Sequence, residues 1–256
     1  MSDDEVSIKV WNNVVTAILK MPGAKVNRDK FLKKELSKYY DQTEVTKVIE
    51  SGYKDSIVDS KVIGKIAKSI INTHTTIVTS ISFGYGLPGG WWMAGTIPAD
   101  LTNFYYQVVV VAQELAYIYG WPSFDEDGPT EEFIGIITLF IGVMSGTKAA
   151  NEALGKMANN LATQVAKRLP QKALTKYGIY NIVKKIAAWF GVRLTKDSFS
   201  KGVSKAIPVL GGIISGAVTA GTFMPMAKKL KNYLATLPLA KGGKEYISNE
   251  QDLEIC

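Results

Sequence analysis

The chain of 256 residues holds one cysteine, Cys256, and one histidine, His74. A single cysteine excludes an intrachain disulfide framework and any Cys₂ or Cys₄ metal site. With one histidine beside it, zinc lacks the nitrogen and sulfur ligands it needs. Neither a Cys–His pair nor a Ser-His-Asp order can be assembled with any specificity. Alternating apolar–polar runs, the mark of half-buried strands, are almost missing. So are repeats of a fixed period and flexible linker tracts. The first residues, MSDDEVSIKVWNN, are acidic and lack the basic-then-apolar order of a signal peptide. These absences predict an all-α, single compact multi-helix domain in the cytoplasm, with no cofactor, no metal and no assignable catalytic residue.

What is present centres on residues 83–122, FGYGLPGGWWMAGTIPADLTNFYYQVVVVAQELAYIYGWP. Five glycines surround the Trp91–Trp92 pair, and a long apolar segment follows. Pro98 suits a first helical turn, where amides have no intrahelical partner. Thr96 can cap that turn, and Asp100 lies at its positive end. Gly120 with Pro122 beyond it is a usual helix exit. The spacing predicts a central, nearly buried helix over about 98–119, roughly 33 Å long.

One narrow stripe of that helix is polar. Asp100, Asn103, Gln107 and Glu114 fall within about 60° of one another at the α-helical period. The stripe must face water, a polar cavity or partner side chains, because an unpaired buried polar group costs about 1–3 kcal/mol. Asp100, Asn103 and Gln107, with His74, are the candidate polar pocket. Asp100 and Glu114 stand roughly 21 Å apart along the axis, too far to share a metal or act as an acid–base pair. The glycine loop is not a phosphate site. It lacks GxxxxGK[ST], and GYGLPG follows no strand. Close backbone packing, or a membrane interface anchored by Trp91 and Trp92, suits it better.

The remaining segments read as helices. Residues 3–20, 28–40 and 43–52 come first, then 56–83, whose second half, INTHTTIVTSIS, is β-branched enough to compete as a strand. After an acidic loop, Thr130 starts an apolar helix over 133–144. Asp125, Glu126 and Asp127 in that loop offer hard oxygens without calcium-loop spacing, so the loop reads as solvated. Helices over 147–168 and 171–190 follow. Residues 207–227 carry no charge and are long enough to span a bilayer. Gly212 and Gly216 there, and Gly142 and Gly146 in the earlier helix, are spaced for close, zipper-like helix packing. Lys228, Lys229 and Lys231 follow at once. Residues 238–256 read as a polar, frayed tail.

Charge is uneven. Residues 148–205 hold twelve Lys or Arg against Glu152 and Asp197, about +10, which leaves about −3 for the rest of a net +7. A basic half implies an anionic partner.

Taken together, Gly89, Gly90, Gly95, Pro98, Ala99, Asp100, Tyr119 and Gly120, with Pro208, Gly211, Gly212 and Ala227 later, resemble the pattern of the EcsC family over about residues 60–230. In that family a glycine-rich loop leads into a P-A-D helix with an aromatic–Tyr–Gly exit. A basic, helix-rich half then ends in a small-residue helix. The resemblance implies one EcsC-like domain over 1–237, with a helical extension over about 1–55 and a core over 56–237. It also implies a bacterial, membrane-linked role beside an ABC transporter, without implying a reaction.

The first expectation is therefore a non-enzymatic accessory or regulatory protein, peripheral to the inner face of the plasma membrane. It would bind an anionic membrane surface or a membrane protein through Trp91, Trp92, Lys228, Lys229 and Lys231, with no specific nucleic-acid contact. The alternatives are a membrane-inserting glycine-zipper effector and a hydrolase with a pocket at Asp100.

Overall fold

Ser2, Asn27, Asp41 and Thr130 each accept a hydrogen bond on a side-chain oxygen from the amide three residues ahead, and each starts a helix. Ser2 forms a full capping box with Glu5. The computed structural model describes residues 2–54, 56–80, 99–124, 128–162, 172–194 and 216–240, without the side chains of 80, 99–102, 193 and 216–220. Those residues form ten helices and no strand: α1 (Asp3–Leu19), α2 (Arg28–Leu36), α3 (Gln42–Ser51), α4 (Ser60–Ser80), α5 (Ala99–Ile118), α6 (Glu131–Met144), α7 (Lys148–Ala162), α8 (Ala173–Lys176), α9 (Tyr180–Leu194) and α10 (Gly216–Ala235). Trp91, Trp92, Gly212, Asp125, Glu126, Asp127 and residues 241–256 lie outside the described residues.

The β-branched half of α4 is helical. Its threonines satisfy their hydroxyls by bonding back one turn: Thr75 to the Ile71 carbonyl, Thr76 to Asn72, and Thr79 to Thr75. The helix expected over 171–190 is two helices. Gly178, at a φ of 66°, breaks the chain between α8 and α9. The apolar stretch 207–227 does not end its helix where its charge-free run ends. α10 runs on to Ala235 with Pro225 inside it. Pro225 and Gly221 are both exposed, so the carbonyl that the proline leaves without an amide can bond to water. No helix of the described residues is long and apolar enough to cross a membrane.

α5 is the centre. From Asn103 to Tyr119 only Tyr106 and Glu114 are more than marginally exposed. α1, α2, α4, α6 and α10 all pack on it. Its exit follows the glycine reading. Gly120 adopts a φ of 86°, and the Trp121 amide reaches back to the Ala116 carbonyl. A Cβ at 120 would stand 2.2 Å from the Leu239 carbonyl oxygen. The segment expected to fray, 238–256, therefore begins folded: Leu239 lies against the α5 exit and Ala240 is buried.

The core is one continuous cluster of buried apolar side chains reaching from Trp11 to Ala240. Trp11 ties α1 to three other helices. It stacks on Phe190 at 4.5 Å, meets Tyr105 edge-on at 5.7 Å, and donates its indole N–H to Thr138 Oγ1 at 2.8 Å. Gln113, fully buried on α5, holds the α1–α2 connection by donating to the Ala24 carbonyl and accepting from the Val26 amide. Arg28, also buried, donates to the carbonyls of Trp121 and Ile49.

Gly142 and Gly146, expected to share a small-residue face, act separately. At Gly142 a Cβ would stand 2.8 Å from Ala150 Cβ of α7, with Ile186 of α9 beyond. That is close helix packing, but against α7 and α9. Gly146 has a φ of 81° and forms the turn out of α6, so its role is conformational. Gly216 is the first residue of α10.

Candidate functional site

The buried side of α4 is aliphatic (Ile63, Ile66, Ala67, Ile70, Ile71 and Val78) except at His74 and Thr75. His74 points at the polar stripe of α5. Its Nδ1 lies 2.6 Å from Gln107 Oε1 and its Nε2 lies 2.9 Å from Glu114 Oε2. Gln107 and Glu114 are two helical turns apart on one face of α5, and the imidazole bridges them. The stripe thus faces a partner side chain, one of the three environments open to it.

The electrostatics follow from that geometry. Both ring nitrogens face oxygens, so the protonated ring can donate to both at once. Burial, the largest influence on the ring, opposes that charge. The hydrogen bond and charge of Glu114, aided by the Gln107 bond, outweigh it and hold the His74 pKa above its ordinary value. The Glu114 side chain keeps 20% of its surface, against 10% for His74, so the carboxylate is the better hydrated partner. In its protonated form the ring has no free lone pair to act as a base. It joins α4 to α5 by charge.

Asn103 lies one turn before Gln107 and is buried, and its Oδ1 has no partner among the described residues. Asp100 falls in the first turn of α5, and its side chain is outside the described set. Of the expected pocket, the structure brings together His74 and Gln107 and adds Glu114. Among the described residues no three His, Cys, Asp or Glu side chains gather as a metal site.

A second set of charges lies on α4 and on α10, which packs along it. Lys68 and Lys228 are exposed, and Lys231 is half-buried. Burial first, then the charges of Lys228 and Lys68, push the Lys231 ammonium below its ordinary range. Lys68 contributes to that shift although it lies far from Lys231 in the sequence. None of the three forms an ion pair with a described residue. Neither α4 nor α10 contains an acid, while together they carry Lys61, Lys65, Lys68, Lys228, Lys229 and Lys231. The three C-terminal lysines do not act as one group. Lys229 turns away to the exit of α6, with its Nζ 3.5 Å from where a Cβ of Gly146 would stand.

No protein-family model, no curated protein and no solved structure matches this chain.

Proposed function

We propose that this chain is a non-enzymatic, membrane-associated protein of EcsC type that binds the surface of an anionic bilayer from its cytoplasmic side. The observation that carries this reading is the acid-free pair α4–α10. Two packed helices present lysines without one carboxylate of their own to neutralise them. A soluble protein ordinarily intersperses both signs on its surface. A face of one sign keeps a field that a surface of opposite sign can meet. Peripheral contact also fits α6, which is buried from Phe133 to Met144. Insertion through α6 would first have to empty the core.

Vesicle sedimentation tests the reading. The protein is expected to bind vesicles containing phosphatidylglycerol, to ignore neutral phosphatidylcholine, and to release in high salt. No entrapped dye should escape. Each lysine near an anionic surface contributes about 1 kcal/mol, or about fivefold in affinity. Lys65→Gln with Lys68→Gln should therefore weaken binding by about 25-fold. Equal binding to neutral vesicles, or unchanged binding by the double variant, would overturn it.

A further inference from the structure

We propose that the N-terminal part of α4, with the loop before it and the turn after α2, is the surface that seats this protein on an anionic bilayer: Ile57 enters the acyl boundary, and Tyr39, Lys61, Lys65 and Lys68 meet the headgroups. The inference rests on the bilayer reading above and deepens it, from a field of one sign to a contact with an apolar point.

Lys61, Lys65 and Lys68 recur at the spacing of one helical face, and all three are exposed. None of them forms an ion pair with a described residue. Lys65 lies over the Tyr39 ring, with its Nζ 5.4 Å from the ring centroid, so the turn after α2 adjoins this face. Tyr39 is itself exposed. An amphipathic ring beside lysines suits the depth of the headgroups.

Ile57 is the most exposed large apolar side chain among the described residues, at 73%. Its backbone is tied down on both sides. The Ile57 amide donates to Glu44 Oε1 at 2.6 Å, the Ser56 amide to the Tyr53 carbonyl at 3.2 Å, and the Asp59 amide to the Tyr40 hydroxyl at 2.9 Å. Val58, the next residue, is fully buried. The loop therefore holds Ile57 outward, and turning it inward would cost these bonds. An isolated exposed apolar residue is ordinary. One held out beside three cations and an exposed tyrosine matches a bilayer interface, which receives an apolar point and positive charge together.

The acids near this loop are engaged at helix starts. Asp59 Oδ1 accepts from the Lys61 amide at 2.8 Å, and Asp41 Oδ1 from the Glu44 amide at 2.9 Å. Glu44 lies in the first turn of α3 and holds the Ile57 amide. Their charge is set against positive helix ends, which leaves the lysine face its field. An acidic polymer or protein would also satisfy those lysines, but it would gain nothing from Ile57. The isoleucine is what distinguishes a bilayer.

The experiment therefore compares vesicles containing phosphatidylglycerol with heparin, a soluble anionic polymer. Ile57→Ser should weaken vesicle binding by about tenfold, the worth of burying most of an isoleucine side chain. It should leave heparin binding and the denaturation midpoint unchanged, since the side chain adds nothing to the core. Lys61→Gln should weaken both kinds of binding, that to vesicles by about fivefold. Depth is read directly from a polarity-sensitive fluorophore on Ile57→Cys in a Cys256→Ser background. Its emission should shift to the blue on the vesicles, while the same label on Asn181→Cys of α9 should not respond.

If Ile57→Ser binds vesicles as tightly as the parent, or the label at 57 stays in water while the protein binds, this contact is overturned and the bilayer reading stands. If the parent ignores the vesicles, both are overturned. Equal losses toward vesicles and heparin in Ile57→Ser would assign the surface to an acidic macromolecule and overturn the bilayer contact.

Discussion

Gly191→Ala is expected to destabilise the protein by about 3 kcal/mol, the upper end of what overpacking ordinarily costs. The cause is the crossing of α1 and α9. A Cβ on Gly191 would stand 1.8 Å from the carbonyl oxygen of Ser7, 2.4 Å from its carbonyl carbon and 2.8 Å from its Cα. All three are backbone atoms inside α1, so no rotamer change relieves the clash. The helices must separate, and the groups clamped between them must follow. Phe190, next to Gly191, is the ring on which Trp11 stacks, and Trp11 also holds Thr138 of α6. The shift therefore reaches a third helix.

Denaturant unfolding measures the loss, and near-ultraviolet circular dichroism should show a loosened indole. Gly64→Ala and Gly221→Ala are the controls. Nothing lies within 4 Å of a Cβ at either position. Both glycines are helical, so alanine there should stabilise by about 0.5–1 kcal/mol. A Gly191→Ala protein as stable as the parent would show that α1 and α9 are not held at this distance.

That crossing was not legible in the sequence, and the reason is physical. Small residues four apart mark a possible helix face, which is why Gly142, Gly146, Gly212 and Gly216 stood out. The closest approach instead uses one glycine between Phe190 and Val192, with no periodic companion. Only the partner's backbone makes it special. Local signals fared better. Thr130, Gly120 and Pro122 each marked a helix boundary through hydrogen bonds and dihedrals confined to one turn, and the structure keeps them. The burial of α5 was legible for the same reason, since its composition leaves only a narrow stripe for water.

Long-range pairing was legible by half. The stripe announced that Gln107 and Glu114 needed something polar, and His74 was the one histidine available. That the ring would span both required α4 to pack against α5 in one register, which no periodicity states. The lysines behave likewise. Lys228 and Lys231 were visible as a charge run, but the packing of acid-free α10 on acid-free α4 was not. α4 thus has two opposed electrostatic sides. One closes a charge pair against α5, and the other leaves Lys61, Lys65 and Lys68 exposed.

The closed side makes the second large prediction. Stability should fall as pH rises through the folded-state pKa of His74. Glu114 and Gln107 hold that pKa above 6.5 in spite of burial, which pulls the other way. A group whose pKa is raised by folding adds stability in its protonated form. The contribution is complete below about pH 6.5, the unfolded value, and drains away as pH climbs past the folded one. His74→Leu should cost about 3 kcal/mol at the acid end of that window. It strands the buried Gln107 amide, and it leaves a Glu114 carboxylate that partial exposure can only partly rehydrate. At the alkaline end the cost should shrink, because the parent has lost the pair already.

Glu114→Gln separates charge from shape. It keeps a side chain of the same length beside Nε2 but removes the carboxylate. Burial, the largest single influence on the ring, then prevails over the Gln107 bond, and the His74 pKa drops below 6.5. The linkage changes sign: the variant should gain stability as pH rises, where the parent loses it. Because His74 is the only histidine, its ring resonance in an NMR titration reports the pKa directly, without assignment by subtraction. Parallel pH–stability slopes in parent and Glu114→Gln protein would mean that the ion pair between α4 and α5 carries no weight in solution. Opposite slopes would show that one buried proton decides how firmly α4, and with it the lysine face, is held to the core.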